Sequence, residues 1–349
     1  MRSPIRTSLI SAVVLVVATV SPAAAGGTRH THHPPGTTPT LLASGLGSGS
    51  GSTIGPDGAL YVAQPAEGAI TRIDPRTGAT TPFASGLPTR RPGFPVGGVT
   101  DVAFLGHKAY ALVSVVGTDV GGTSPTGIYR LHRNGTATLV ADIGTWAIAH
   151  PPETDFFVPS GVQYAMQPWH GGFLVTDGHH NRVLKVSTHG TVREVIAFGN
   201  TVPTGIDVAR HRVYVAEAGP VPHDPATGRV VTFRPGATEA DEVASGTPIL
   251  TDVELGDGGG GRHGHGAKRH GHHGHHGATV YAVSNGTYSG DPEGSPGLPD
   301  TGSLVKADRH GGFRTVADGL DRPTSLEIVH HTAYVVTYDG EVWTVRLGH

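Results

Sequence analysis

The chain has 349 residues, with no cysteine, 53 glycines, 27 prolines and a formal charge of -3 at neutral pH. Without thiols, neither disulfides nor a lipid-modified cysteine anchor can form, so stability has to come from apolar burial. The mild acidity argues against a nucleic-acid partner.

Residues 1–25 have the pattern of a secretory signal: Arg2 and Arg6, an apolar stretch from Leu9 to Val20, and small residues at Ala23-Ala24-Ala25. That stretch is too short to span a hydrocarbon core needing about 20 residues, so the expectation is a secreted, extracellular protein without a membrane span. Removing the segment takes away two arginines and no acid, which moves the charge from -3 to -5. Residues 26–39 (GGTRHTHHPPGTTP) have no apolar periodicity and read as a disordered leader.

From residue 40 onward a strand pattern recurs six times. Its core run appears as Leu60-Tyr61-Val62-Ala63, Ala109-Tyr110-Ala111-Leu112, Phe173-Leu174-Val175-Thr176, Val213-Tyr214-Val215-Ala216, Val280-Tyr281-Ala282-Val283 and Ala333-Tyr334-Val335-Val336. Most are followed by an alternating run such as Arg182-Val183-Leu184-Lys185-Val186, whose period of two puts one face into a core. A third run ends on a small tail, as in Phe83-Ala84-Ser85-Gly86-Leu87 and Val316-Ala317-Asp318-Gly319-Leu320. The last unit lacks this tail, while Leu42-Ala43-Ser44-Gly45-Leu46 stands at the other end of the chain. A fixed repeat of this kind predicts an all-β, six-bladed β-propeller over residues 40–349. Its ring closes by an N-terminal outer strand at residues 41–46, which hides two sheet edges. First strands are expected to begin near Ser52, Val99, Val162, Gly205, Thr251 and Thr324, and no helical period is visible after residue 25.

In such a ring the loops between second and third strands, and those between units, open on one face. Residues 87–98, 117–126, 145–160, 217–228 and 285–302 fall there, and long loops on a rigid scaffold are where binding concentrates. The Gly/His-rich insertion at residues 256–277 joins first to second strands and belongs to the opposite face.

Two local motifs carry a resemblance. Val175-Thr176-Asp177-Gly178-His179-His180-Asn181-Arg182-Val183-Leu184-Lys185-Val186 resembles the NHL repeat, and Gly55-Pro56-Asp57-Gly58-Ala59-Leu60-Tyr61-Val62-Ala63 is similar to the first strands of gluconolactonase-like and virginiamycin-lyase propellers. Together with the signal-like start, LASGL and the long insertion between the second and third units, they most resemble the ScyD/ScyE family, secreted six-bladed propellers associated with scytonemin pigment biosynthesis. Residues 151–162 (PPETDFFVPSGV) depart from the Asn-Pro-rich insertion of that family. The resemblance implies a fold and no settled catalytic role. Ile54 stands where the lactonases place a metal-binding Glu, and Gln64 stands where the lyases commonly place a Glu, so both chemistries lose a motif residue.

The candidate sites follow from chemistry. Aligned on their core strands, Asp101, Gln163, Asp207, Asp252 and Glu327 fall at about equivalent inner positions, an axial polar ring. These acids would either hydrogen-bond the backbone of adjacent blades, the reading the inner-strand geometry favours, or hold a Ca²⁺ ion on the axis. His263, His265, His270, His272, His273, His275 and His276 suit loose binding of Zn, Ni or Cu, or form a solvated low-complexity loop. His30, His32 and His33 would join them only if the leader folds across. On the long-loop face, His150, Glu153, Asp155, His179, His180 and Glu217 are the candidate binding residues, with the two turn histidines expected to be exposed. Phe156 and Phe157 would floor a pocket or pin their loop to the ring, and Asp291, Glu293 and Asp300 are spread through a loop that would wrap a cation or nothing. No Ser-His-Asp arrangement in a nucleophile turn and no phosphate-cradling loop is present. The resulting expectation is a monomeric binding scaffold for an unknown small-molecule or extracellular protein ligand. A metal-assisted hydrolase or lyase of the gluconolactonase-like type is the first alternative, and loose metal binding by the Gly/His loop is the second.

Overall fold

The computed structural model describes residues 37–209, 211–220, 227–256, 279–288, 290 and 295–348. Its strands form six four-stranded antiparallel sheets, five of them built from four consecutive strands. The sixth takes three strands from the C-terminus and one, Thr40–Ala43, from the start of the described chain. That strand lies antiparallel on Val342–Arg346, with Thr40 opposite Thr344 and Leu41 opposite Trp343. The architecture is the six-bladed β-propeller expected from the repeat, closed as the displaced tail requires.

The blades are numbered one to six from Ser52. Their inner strands are Ser52–Ile54, Gly98–Leu105, Gln163–Trp169, Pro203–Ala209, Leu250–Gly256 and Pro323–Val329. The second strands hold the apolar repeat and are the most buried: every residue of Leu60–Gln64 and Gly172–Asp177 is inside. Because both faces of a blade are covered by its neighbours, these strands read as near-continuous apolar runs. Six apolar clusters each draw on two successive blades. The one that closes the ring packs Leu60, Val62 and Ile73 of blade one against Tyr334, Val336 and Val342 of blade six, with Ala43 and Leu46 of the displaced segment between them.

A short helix, Ile143–Ala149, interrupts the all-β pattern between blades two and three, in a loop where the sequence shows no helical period. Seven residues are too few to display one. The helix starts because Asp142 accepts a hydrogen bond from the Thr145 N–H at 2.8 Å, and it ends ahead of Pro151-Pro152. Among the described residues no helix is long and apolar enough to cross a membrane. The Gly/His tract, the leader histidines, Asp291 and Glu293 lie outside the described residues; Asp300 is described, exposed and in the left-handed region at φ 57.

Deleting residues 1–46 removes the closing strand together with the buried side chains of Ala43 and Leu46. Relative to a chain starting at residue 37, this should lower unfolding stability by about 2–3 kcal/mol. The freed edge of Val342–Arg346 should also cause concentration-dependent association. Thermal unfolding with light scattering measures both; an unchanged midpoint would contradict closure by this strand.

Candidate functional site

Each inner strand turns one backbone edge toward the propeller axis, away from its own sheet, and those N–H and C=O groups need partners from outside the blade. The side chains supply them. Asp101 of blade two accepts from the Met166 N–H of blade three at 2.7 Å. Between blades three and four, Gln167 donates its amide to Asp207 at 2.8 Å. Asp207 in turn accepts from the Leu255 N–H of blade five at 3.1 Å. Asp252 of blade five accepts from the Leu326 N–H at 2.8 Å and the Ser325 hydroxyl at 3.0 Å, both on blade six. Glu327 accepts from the Ile54 backbone N–H of blade one, where Ser325 also accepts from the Ser52 N–H at 3.0 Å. The remaining junction is a backbone bond from Gly51 to the Thr100 carbonyl at 2.8 Å. All six junctions are therefore bridged at the axis.

The strand register divides these groups into two layers rather than one ring. Asp207, Glu254 and Glu327 lie opposite Tyr214, Tyr281 and Tyr334, and Gln167 lies opposite Leu174 in the same layer. Asp101 and Asp252 belong to a second layer two residues along, opposite Leu112 and Val283. Gln163 belongs to neither, which corrects the expected alignment. It is fully buried, donating to Ser160 and Asp177 and accepting from Ser114. The cause is a bulge in the inner strand of every blade but the first, which inserts one residue and breaks the alignment. Gln167 and Glu254 were also missed: counting back seven residues from the second strand reaches Asp207, Glu327 and Gln167, whereas residues 257–278 separate Glu254 from Tyr281 in the sequence and break that count. Small residues seat the second layer: a Cβ on Gly51 would strike Asp101, and one on Gly205 would strike Asp252.

Burial dominates the electrostatics. It pushes the carboxyls of Asp101, Glu254 and Glu327 well above their ordinary values and raises Asp207. Asp252 is raised to about 7, first by burial and then, among the raising causes, by the charge of Asp207. Glu254 hydrogen-bonds Asp207, an arrangement in which Glu254 keeps the proton. Burial thus favours the neutral form of these carboxyls along the axis. Backbone N–H groups already occupy both oxygens of Asp101, Asp207 and Asp252. Among the described residues no three His, Cys, Asp or Glu side chains gather as a group able to hold a metal ion, so the donor set does not fit the Ca²⁺ weighed as the alternative to backbone hydrogen bonding.

A cavity follows the axis and touches all six inner strands, including Asp101, Asp252, Glu254 and Glu327. Arg90, Tyr164, Tyr338 and Asn285 line it near the segments that lead into the long loops. Arg90 donates to the Tyr338 hydroxyl and stacks 4.9 Å from its ring centre, and Tyr338 donates to the Pro95 carbonyl at 3.0 Å. The Tyr164 ring lies against Gly178, where a Cβ would collide with it. Gln64, where the lyases commonly carry a Glu, is buried outside the cavity and spends its amide on the Leu46 carbonyl and the Thr71 hydroxyl.

The expected binding residues of the long-loop face separate in the structure. Glu153, Asp155 and His179 line a second pocket with Phe156 and Phe157. Both turn histidines are buried, contrary to expectation. His180 packs inside, with Nε2 at 3.1 Å from the Val158 carbonyl and Nδ1 at 2.9 Å from the Arg182 guanidinium. His150 stacks on Trp146 at 4.4 Å and lends its carbonyl to Arg182. Glu217 is buried, pairs with Arg229, and is raised to about 7 by burial.

No family model matches the chain, and no curated protein is significantly similar to it. Solved structures share its fold at low identity. A gluconolactonase of Xanthomonas campestris is 10% identical with a TM-score of 0.58, covering 91% of this chain and 96% of that one. A PQQ-bound aldose sugar dehydrogenase of Streptomyces coelicolor is 14% identical with a TM-score of 0.57, covering 88% and 96%. Virginiamycin B lyase of Staphylococcus aureus is 11% identical with a TM-score of 0.51, covering 89% and 99%. At these identities the likeness is one of fold: the chain is similar to six-bladed propellers of the gluconolactonase-like and virginiamycin B lyase kinds.

Asp252 has a folded pKa of about 7, above an unfolded value of about 3.9. The folded chain thus binds the extra proton between about pH 4 and 7, and stability should fall as pH rises through that window. Asp101, Asp207, Glu254, Glu327 and Glu217 act in the same direction. The lowered carboxyls of Asp57, Asp74, Asp308 and Asp321 act oppositely, near and below about pH 4. The unfolding midpoint should be higher near pH 5 than near pH 8, and Asp252→Asn should reduce that difference. A midpoint that rises from about pH 5 to 8 would contradict the assignment.

Proposed function

We propose that the protein is a secreted binding propeller that takes a small, uncharged, hydroxyl-rich molecule into its axial cavity from the long-loop face. The observation that carries this reading is the engagement of the axial acids: the oxygens of Asp101, Asp207 and Asp252 are latched to neighbouring blades, which leaves them little capacity for a cation. Burial favours the neutral form of the axial carboxyls, a form that both donates and accepts hydrogen bonds. Gln167, Thr53 and Ser325 add neutral polar atoms to the cavity, and the Tyr164 and Tyr338 rings offer apolar faces beside them. Convergent polar groups in a partly apolar, preformed cavity are the usual form of a small-molecule site.

A gluconolactonase and an aldose sugar dehydrogenase among the structural neighbours act, by their names, on sugars or sugar derivatives, which supports the ligand class by analogy of fold. The motif resemblance to the ScyD/ScyE family supports secretion and carries no settled catalytic role. Metal-assisted hydrolysis or elimination is less well supported, because Ile54 occupies the motif position of a metal-binding Glu and the axial oxygens are already engaged.

Calorimetric titration of the mature protein with a panel of neutral sugars, polyols and sugar lactones tests the proposal, with lactone integrity followed by mass spectrometry. One class should bind without turnover, and Thr53→Val, which removes a hydroxyl lining the cavity, should weaken it by about threefold to tenfold, the value of one hydrogen bond. Consumption of a lactone above the spontaneous rate would replace this reading with the hydrolase.

A further inference from the structure

A second pocket lies over blade three, between the loop at residues 150–162, the turn Gly178–His180 and Asn200. It shares no lining residue with the axial cavity. Glu153 and Asp155 line it, and neither takes part in an ion pair among the described residues. Phe156 and Phe157 stand beside them, 36% and 57% exposed, which is high for phenylalanine. They are held edge to face against His180 and His179 at 5.1 and 4.9 Å rather than folded into the core.

Asn181 adds an independent observation. It is 3% exposed, held at φ 55, and its amide N–H₂ donates to Thr154 Oγ1 at 3.1 Å. Its Oδ1 is buried with no hydrogen-bond partner, an arrangement unfavourable to folding unless a ligand donor meets that oxygen.

The pocket thus combines two exposed carboxylates, an orphaned carbonyl-type acceptor on Asn181, and aromatic rings as its apolar part. A ligand that satisfies both has N–H donors, a positive charge and an aliphatic stem. A bare metal ion does not fit, since among the described residues no three potential ligands gather here. A neutral sugar would leave two carboxylates uncompensated. We propose that this pocket binds an alkylammonium group, with Glu153 and Asp155 taking the charge, Asn181 Oδ1 accepting one N–H, and the Phe157 ring covering the methylene stem. The ligand is either a free alkyl diamine or a lysine side chain displayed on a peptide; the chemistry is the same.

The test is calorimetric titration at low salt with cadaverine and with N-acetyl-lysine amide, against pentane-1,5-diol as the uncharged isostere. Both amines are expected to saturate one site, with the diol at least about tenfold weaker. The double variant Glu153→Gln with Asp155→Asn should lose about tenfold or more, and Phe157→Ala should also weaken binding. Thr53→Val, which probes the axial cavity from blade one, should leave amine affinity unchanged, so failure of either site is seen separately. Unfolding midpoints of the variants establish that they are folded. Preference for the lysine derivative would indicate a peptide partner, and preference for cadaverine a free diamine. Equal binding of the diol, undiminished binding by the folded double variant, or no saturable binding of either amine would overturn the proposal.

Discussion

A β-propeller leaves the inner edge of every blade without a strand partner, and this molecule is organised around how that edge is satisfied. The outward N–H groups of Met166, Leu255, Leu326 and Ile54 each meet a carboxyl from the preceding blade. Ring closure by Thr40–Ala43 solves the corresponding problem at the outside of the sixth sheet. Threonine hydroxyls add further ties in the same direction, from Thr204 to the Leu250 carbonyl at 2.8 Å and from Thr251 to the Pro323 carbonyl at 2.9 Å. Apolar clusters bind the blades face to face, while these polar ties fix their register around the axis. A carboxylate offers two oxygens and can hold its own strand and the next at once, as Asp101 does with Val102 and Met166. That geometry explains why acids recur at these positions although their charge is costly to bury.

The same placement governs the chemistry available to the cavity. Burial raises the pKa of these carboxyls and so favours their neutral form. The proposed uncharged polar ligand rests on that tendency and on the engagement of their oxygens by neighbouring blades. The long-loop face, by contrast, keeps Glu153 and Asp155 at its surface beside two uncovered aromatic rings. The two proposed sites thus differ in chemistry although one scaffold carries both.

The fold was legible in the sequence because a propeller repeats its burial pattern: each Tyr-bearing second strand is enclosed on both faces, and its apolar run shows this directly. Closure was legible from the tail at residues 42–46, whose counterpart is missing after Val345. The axial acids were recognisable as a set, but not in their layers, because bulges break the count along the inner strands. Glu254 escaped notice because residues 257–278 separate it from Tyr281 in the sequence, and Gln163 was included because the bulge between it and Met166 shifts the count. Burial of the turn histidines was hidden because it comes from the loop around residues 156–158 and from Arg182: His180 meets the Val158 carbonyl and the Arg182 guanidinium, and His179 packs on Phe157, contacts that no local pattern encodes.

Native-state hydrogen exchange of the inner-strand amides tests the central claim most directly. If the axial acids hold the blades together, the Met166, Leu255 and Leu326 amides should exchange as slowly as those paired within their own sheets, and replacing Asp252 by alanine should accelerate Leu326 selectively. Rapid exchange of these three amides in the unmodified protein, at the rate of exposed loop amides, would contradict the account.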